Sequence, residues 1–226
     1  NPQPPWLRVR ARTALAPAGA KGNIMLADPG RGVSFKPDGT ASPELVQTVE
    51  PSAEKTPGGG QAFCYRAENR AKTASAWTRL TLALPKPLDL TRHRRLGLWI
   101  RTEGRGGLLN VQLSAADARR DHYIPLESRA WTYVVLDPPD DDRFFDFARP
   151  YGFTDLMYTC ANVYSGVKHL HLYYNGLPAG AQAACWIGRI EALEEQPLPL
   201  ASPSLEAGGQ KIAFPVSLKP DEYLEM

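Results

Sequence analysis

The sequence predicts an all-β fold, an antiparallel β-sandwich of the jelly-roll type, on three observations. Short runs that alternate apolar and polar residues recur along the chain, as half-buried strands do. The 21 prolines and 19 glycines lie mainly between those runs, where turns are expected. No segment keeps a helical period over three turns. With 226 residues, 43% of them hydrophobic, the chain is long enough for one sandwich with accessory segments.

The first 60 residues are weakly patterned, and we expect an N-terminal extension over 1–60 with a few edge strands. Leu7–Ala11 alternates apolar and charged residues, and Leu45–Glu50 is a second strand candidate. Glycine and proline interrupt the pattern between these two segments and again at Thr56–Gly60. Nothing in this region repeats.

From Gln61 the pattern sharpens, and residues 61–195 are predicted to form the sandwich. A glycine-rich stretch, Glu103–Gly107, predicts a hairpin connection between the third and fourth strands of this region. The predicted strands are Ala62–Ala67, Trp77–Leu84, Leu96–Thr102, Leu108–Ser114, Asp121–Leu126, Trp131–Leu136, Val167–Asn175 and Cys185–Leu193.

Residues 196–226 are predicted to be a linker and the start of a following segment. Gln196–Gly209 is rich in proline, serine and glycine, as flexible linkers are. Lys211–Leu218 then begins a strand, and we expect another domain to follow it. At the other end, the first residues lack an initiator methionine and an apolar signal stretch, as expected of a mature or excised fragment.

Composition and motifs argue against several classes of function. The 26 basic and 24 acidic residues nearly balance and form no concentrated basic stripe, so we expect no nucleic-acid partner. No apolar run approaches the ~20 residues that span a membrane, so no membrane insertion is expected. No nucleophile elbow, zinc-protease helix or phosphate-binding glycine loop is present. The sequence therefore predicts a non-enzyme, with a glycan-active enzyme of unrecognised site as an alternative.

The three cysteines, Cys64, Cys160 and Cys185, permit at most one internal disulfide. All three lie in apolar or aromatic surroundings, where a buried unpaired thiol is the commoner outcome.

Strand alternation predicts one chemically unusual face. Alternate residues of a strand point to opposite sides of its sheet, and the apolar sets must cover the core. The opposite positions carry rings, amides and imidazoles, which suit a polyol: sugar C–H faces stack on aromatic rings, and these polar groups bond vicinal hydroxyls. Together with residues of the Asp121–Leu126 strand, the predicted carbohydrate-binding residues are Trp99, Arg101, Asn110, Gln112, His122, Tyr123, His169, His171, Tyr173 and Asn175.

Metal sites have weaker support in the sequence. The alternate histidines His169 and His171 permit a zinc site, but no cysteine or carboxylate follows at matching spacing. Asp89 and Glu191 are the candidate ligands of a structural calcium near the sheet edge. No cofactor is required.

The segment LGLWIRTEGRGGLLNVQL (96–113) resembles the galactose-binding-domain-like sandwiches that serve as carbohydrate-binding modules in bacterial polysaccharide-degrading enzymes. DHYIPL, the Trp131 strand and VKHLHLYYNGLP extend the resemblance over residues 61–195. It implies a groove on the concave face or a site at the loop tips, often with a structural calcium, and places the surface aromatics at Trp99, Tyr123 and Tyr173. Residues 1–60 have no counterpart.

We therefore expect a non-catalytic module, secreted or at the cell surface of a bacterium, that binds polysaccharide and targets an appended glycoside hydrolase or lyase to it. The rival hypothesis is a structural β-sandwich that packs against a catalytic domain and binds no sugar. In that case residues 1–60 would cover the predicted face.

Overall fold

A computed structural model gives the fold of the chain. It describes residues 8–10, 14–15, 17–32, 35–72, 77–105, 107–116, 119–136, 164–196, 204–207, 210–213 and 223–225. The chain divides into two compact units. One is Ala18–Glu194, and the other combines Asn1–Pro17 with Glu195–Met226.

The described residues form strands and a single 3-10 turn, Pro29–Arg31, as the all-β prediction requires. The strands are β1 (Arg8–Arg10), β2 (Ala14–Leu15), β3 (Ile24–Ala27), β4 (Lys36–Thr40), β5 (Leu45–Lys55), β6 (Gln61–Asn69), β7 (Trp77–Leu88), β8 (Arg95–Thr102), β9 (Leu108–Ser114), β10 (Arg119–Pro125), β11 (Thr132–Leu136), β12 (Val167–Asn175), β13 (Gln182–Leu193), β14 (Glu195–Gln196), β15 (Ser204–Ala207), β16 (Gln210–Ala213) and β17 (Tyr223–Glu225).

Two antiparallel sheets make up the larger unit. The five-stranded sheet has the order β10-β9-β12-β7-β4, and the six-stranded sheet has the order β11-β8-β13-β6-β5 with β3 paired to β13. This confirms the predicted β-sandwich.

The core lies between the inward faces of the two sheets. Leu109, Val111 and Leu113 on β9 are fully buried there, as are Leu170 and Leu172 on β12. From the six-stranded sheet, residues such as Leu98, Ile100 and Ile187 join the same cluster. Because each buried aliphatic side chain contributes about 1.5–3 kcal/mol, this alternation fixes which side of each strand faces inward.

The predicted hairpin between β8 and β9 is wrong. The two strands belong to different sheets, so Glu103–Gly107 crosses from one layer of the sandwich to the other. Gly104 and Gly107 have φ angles of 66° and 98°, a region that glycine adopts at low cost. Glycine-rich loops serve such crossings as well as hairpins, so composition did not distinguish the two.

The sandwich also begins earlier in the chain than the sequence analysis placed it. β4 pairs with β7 at the edge of the five-stranded sheet, and β5 pairs with β6 at the edge of the six-stranded sheet. Residues 18–60 therefore belong to the larger unit. Edge strands such as β5, with an alternating but mostly exposed pattern, bury few apolar side chains and so leave a weak sequence signal.

The described residues of the smaller unit form three short antiparallel strand pairs. β1 pairs with β17, β2 with β14, and β15 with β16. The described part of the strand predicted at Lys211 corresponds to β16. It pairs with β15, which lies inside the segment expected to be a linker.

Two further expectations concern the cysteines and the membrane. Cys64 and Cys185 are buried free thiols, as predicted, and Cys160 lies outside the described residues. Burial raises the pKa of the Cys185 thiol to about 12. Within the described part of the chain, the structure contains no helix with the length and apolar character of a membrane span.

Candidate functional site

The outer face of the five-stranded sheet carries the polar residues that alternation selected. On β9 these are Asn110 and Gln112, and on β12 they are His169, His171 and Tyr173. Tyr173 lies directly opposite Asn110, His171 opposite Gln112, and His169 opposite Ser114. On the other side of β12, Arg79 lies opposite Tyr173 and Thr81 opposite His171. The prediction that these β9 and β12 side chains share one face therefore holds in the structure.

A buried carboxylate organises the β9–β10 side of this face. Asp121 Oδ1 accepts hydrogen bonds from Asn110 Nδ2 at 2.8 Å and from Gln112 Nε2 at 2.7 Å. Asp121 Oδ2 accepts from the Tyr123 hydroxyl at 2.8 Å. Burial and the Asp121 charge raise the pKa of Tyr123 well above its usual value, so this phenol stays protonated and donates.

The network continues across the sheet to β7. Because the Gln112 amide nitrogen faces Asp121, its Oε1 is free to accept the Tyr173 hydroxyl at 3.3 Å. Arg79 Nη1 in turn donates to the Tyr173 hydroxyl oxygen at 3.5 Å. Arg79 is anchored by Asp38, whose Oδ2 lies 3.1 Å from Nε and whose backbone oxygen accepts from Nη2 at 3.0 Å. Five strands, β10, β9, β12, β7 and β4, thus contribute to one connected polar surface.

Four planar rings form a continuous line on this face, which we call the ring row: Trp77, Tyr173, His171 and His169. Trp77 and Tyr173 meet edge to face at 6.0 Å between centroids, and Tyr173 and His171 at 6.1 Å. His171 and His169 are stacked at 5.7 Å. The last three rings follow one strand, since alternate residues of β12 share a face. Trp77 extends the line from β7, where it lies opposite Asn175.

The two halves of the face differ in exposure. Asn110, Gln112 and Asp121 are only 1%, 2% and 0% exposed, so the β9 half is shielded from solvent. Trp77, Tyr173 and His169 are half-buried, and His171 retains 8% exposure. The surface available to a ligand therefore follows β12 and β7. Asn175 is buried at the Trp77 end, and its Nδ2 has no hydrogen-bond partner within the described ranges.

Trp99 and Arg101 do not belong to this face, which corrects the sequence prediction. Both lie on β8, on the outer side of the six-stranded sheet, where Trp99 is paired with Tyr133 and Arg101 with Trp186. The Arg101 guanidinium stacks 3.7 Å from the Trp186 ring centre and forms a 2.6 Å ion pair with Glu54. Trp99 and Tyr173 are therefore on different layers of the sandwich.

Trp99 has a packing role on its own sheet. A Cβ added to Gly188 would lie 3.2 Å from the Trp99 Cβ, and a Cβ added to Gly58 would lie 3.5 Å from the Trp99 Nε1. The ring thus lies against the Gly58 turn, and the Trp99 Cβ lies against β13 at Gly188. The Trp99 and Tyr133 rings meet edge to face with 5.5 Å between their centroids.

His122 was also assigned to the wrong side. It is fully buried, because its strand neighbours Asp121 and Tyr123 occupy the outer face and consecutive residues point in opposite directions. Its Nδ1 lies 3.2 Å from the Val111 carbonyl oxygen, and its Nε2 lies 3.3 Å from that of Arg94. These contacts satisfy a core histidine.

The residues proposed for calcium do not fit that ion. The buried Glu191 carboxylate already accepts from Gly19 N and Asn23 Nδ2 at 2.8 and 2.9 Å, and Arg189 Nε lies 2.6 Å from its other oxygen. A guanidinium in that place repels a divalent cation, which requires six to eight oxygen ligands. Asp89 instead accepts from the Thr91 amide. Among the residues described, no three His, Cys, Asp or Glu side chains cluster as metal ligands would.

The residues predicted from the sequence did not include four that contribute to this face: Trp77, Arg79, Thr81 and Asp38. Trp77 lies two residues before Arg79 and four before Thr81 on β7. Alternation along the strand therefore assigns all three side chains to the outer side. Asp38 gave no signal, because its approach to Arg79 depends on the pairing of β4 with β7.

Comparison with known proteins gives a match at the level of structure. The chain is similar to the family 11 carbohydrate-binding module of the cellulosomal cellulase Lic26A-Cel5E of Clostridium thermocellum, with a TM-score of 0.53 and 11% sequence identity over 80% of this chain and 99% of that one. It has the sandwich fold of a carbohydrate-binding module. A second structure of the family 11 module from Clostridium thermocellum, in complex with a β-1,3-1,4-mixed-linked tetrasaccharide, matches with the same TM-score and identity over 80% of this chain and 100% of that one.

The match does not extend to sequence families. No protein-family model and no curated protein matches the sequence.

Proposed function

We propose that this chain is a non-catalytic carbohydrate-binding module whose ligand site is the outer face of the five-stranded sheet along β12. The observation that carries this proposal is Tyr173, a half-buried ring whose hydroxyl accepts from Arg79 and donates to Gln112. A ring held in this way by its hydroxyl offers a pre-organised stacking surface, which lowers the entropic cost of binding. The fold shared with carbohydrate-binding modules supports the same conclusion.

The position of β4 favours ligand binding over the rival structural role. The rival predicts that residues 1–60 lie over the face. In the structure, β4 comes from that segment and pairs beside β7 at the sheet edge. Its Gly39 lies against one side of the Trp77 ring, and both Trp77 and Tyr173 stay half-buried.

We further propose that the module targets an appended glycoside hydrolase or lyase to its polysaccharide and acts outside a bacterial cell. Binding without catalysis fits a face whose acidic centre, Asp121, is fully buried and bonded to three neighbouring side chains. Turnover of any member of a glycan panel by this chain would refute the non-catalytic assignment.

Affinity electrophoresis through gels that contain soluble β-glucans, agarose or polygalacturonate tests binding, with calorimetry on the glycan that retards the protein. Tyr173→Ala is expected to weaken binding at least tenfold, about 1.4 kcal/mol. Trp99→Ala is the matched control, because it removes a half-buried ring from the opposite sheet, and it is expected to bind normally. Equal affinity of Tyr173→Ala and the unmodified protein, both shown to be folded by circular dichroism, would refute the site.

A further inference from the structure

We propose that Thr81, oriented by Asp38, is a positioning residue that holds His171 as a hydrogen-bond acceptor, so that the site selects a ligand with a free hydroxyl at that ring. This inference rests on the proposed function and adds a specificity to it. Thr81 and His171 lie opposite each other in the β7–β12 pair. Asp38 reaches Thr81 from the neighbouring edge strand β4.

The available protons fix the direction of the two hydrogen bonds in this series. The Asp38 carboxylate, which pairs with Arg79 Nε at 3.1 Å, is an acceptor only. Thr81 has one hydroxyl proton and gives it to Asp38 Oδ2 at 2.6 Å. The Thr81 oxygen therefore accepts from His171 Nδ1, which lies 2.8 Å away. Nδ1 must then carry the proton of the neutral ring.

The second nitrogen of the His171 ring is left for a ligand. Burial, the largest cause, and the Arg79 charge lower the pKa of His171 to about 4, so near pH 7 the ring is neutral and Nε2 has no proton. Although His171 is only 8% exposed, its Nε2 is not sealed from solvent and makes no hydrogen bond within the described residues. It is an acceptor in the middle of the ring row, between the rings of Tyr173 and His169.

An acceptor at this point distinguishes between the oxygen substituents of a sugar. A free hydroxyl can donate to Nε2, whereas an ether or ester oxygen has no proton to donate. A ligand substituted at that oxygen covers Nε2 without a hydrogen bond, and an unpaired polar group weakens binding. With its proton on Nε2 instead, the same ring would donate to a hydroxyl oxygen and to an ether oxygen alike. The hydrogen bond to Thr81 therefore sets which substituents the ring accepts.

The tautomer is measured on the full chain near pH 7 by long-range proton–nitrogen NMR correlations, with His171→Gln to assign the signals. The unmodified protein is expected to carry the His171 proton on Nδ1. Thr81→Val replaces the hydroxyl with a methyl group of similar size and leaves Nδ1–H without its acceptor, so the proton is expected to move to Nε2. Thr81→Ser keeps the hydroxyl and is the matched control, expected to keep the proton on Nδ1.

Ligand selection is measured by affinity electrophoresis on soluble mixed-linkage β-glucan, agarose and polygalacturonate, each with and without partial O-methylation of its hydroxyls. On the glycan that binds, methylation is expected to lower the affinity of the unmodified protein and of Thr81→Ser about tenfold. For Thr81→Val, shown to be folded by circular dichroism, the same methylation is expected to lower affinity less than about threefold.

The outcomes separate this inference from the proposed function on which it rests. If the unmodified protein binds none of these glycans, the proposed function fails and the inference fails with it. If a glycan binds but His171 carries its proton on Nε2, only the inference fails. The same holds if methylation weakens binding by Thr81→Val as much as binding by the unmodified protein. Equal loss of glycan binding in Thr81→Ser and Thr81→Val would show that Thr81 has a structural role and would also overturn the inference.

Discussion

His171 donates its Nδ1 proton to Thr81 across the β12–β7 pair, with 2.8 Å between Nδ1 and Oγ1. The direction of this hydrogen bond follows from Asp38, the third group in the series His171, Thr81 and Asp38. Thr81 has one hydroxyl proton and gives it to Asp38 Oδ2 at 2.6 Å, so the threonine oxygen can only accept from the imidazole. At a pH above its pKa of about 4, the neutral ring therefore carries its proton on Nδ1, which leaves Nε2 as a hydrogen-bond acceptor in the ring row.

This arrangement predicts acid-sensitive stability. Burial, Arg79, His169 and Arg119 lower the pKa of His171 to about 4, against a smaller opposing effect of Asp38. Between about pH 6.5 and about pH 4 the unfolded chain binds a proton that the folded chain does not, so the free energy of unfolding falls as pH falls through this range. We expect His171 to contribute about 1–3 kcal/mol to that fall.

Urea denaturation across this pH range measures the effect. His171→Gln is expected to flatten the pH dependence, and His93→Gln, which alters a histidine bonded to the Gly22 carbonyl away from the ring row, is the matched control. An unchanged slope in His171→Gln would show that another group titrates.

Asp121→Ala is expected to destabilise the fold. The change leaves Asn110, Gln112 and Tyr123 without their common acceptor in a buried site, and stranded buried donors cost about 1–3 kcal/mol each in the worst case. We expect a total loss of about 2–5 kcal/mol, seen as a lower denaturation midpoint. Glu50→Ala, an exposed carboxylate on the opposite sheet, is expected to change stability by less than about 0.5 kcal/mol. Comparable stability of the two variants would contradict the organising role of Asp121.

Gly97→Ala is expected to destabilise the six-stranded sheet by about 1–3 kcal/mol through overpacking. An added Cβ would collide with the Tyr133 hydroxyl and lie 2.9 Å from its Cζ. That hydroxyl is buried without a hydrogen-bond partner in the described structure, so Tyr133→Phe alone is expected to be neutral or stabilising by up to about 1 kcal/mol.

A double-mutant cycle tests the coupling by thermal denaturation. Tyr133→Phe is expected to recover part of the loss caused by Gly97→Ala, because it removes the hydroxyl from the collision while Cζ stays 2.9 Å from the added Cβ. Gly58→Ala is the control glycine, since its added Cβ meets nothing closer than 3.5 Å. Strict additivity of the two changes would refute the proposed collision.

Local patterning alone is enough to establish the fold class and the inward side of strands such as β8, β9 and β12. Leu109 and Val111 face the core and Asn110 and Gln112 face outward, because a strand has a fixed period of two and burial of the apolar side dominates its free energy. The same rule placed His169, His171 and Tyr173 together. The same rule separates His122 from Tyr123, its neighbour on β10, although both were among the predicted binding residues.

Which of the two outer faces a strand contributes to depends on long-range pairing. Trp99 and Asn110 both point away from the core, yet β8 and β9 lie in opposite sheets. In a sandwich both sheets bury one side, so their outer sides carry the same alternating pattern and the pattern does not reveal the sheet. That choice depends on pairing between distant segments, β8 with β13 and β9 with β12, and on the path of the Glu103–Gly107 loop between the layers. These are properties of packing across the whole unit, which no local period encodes.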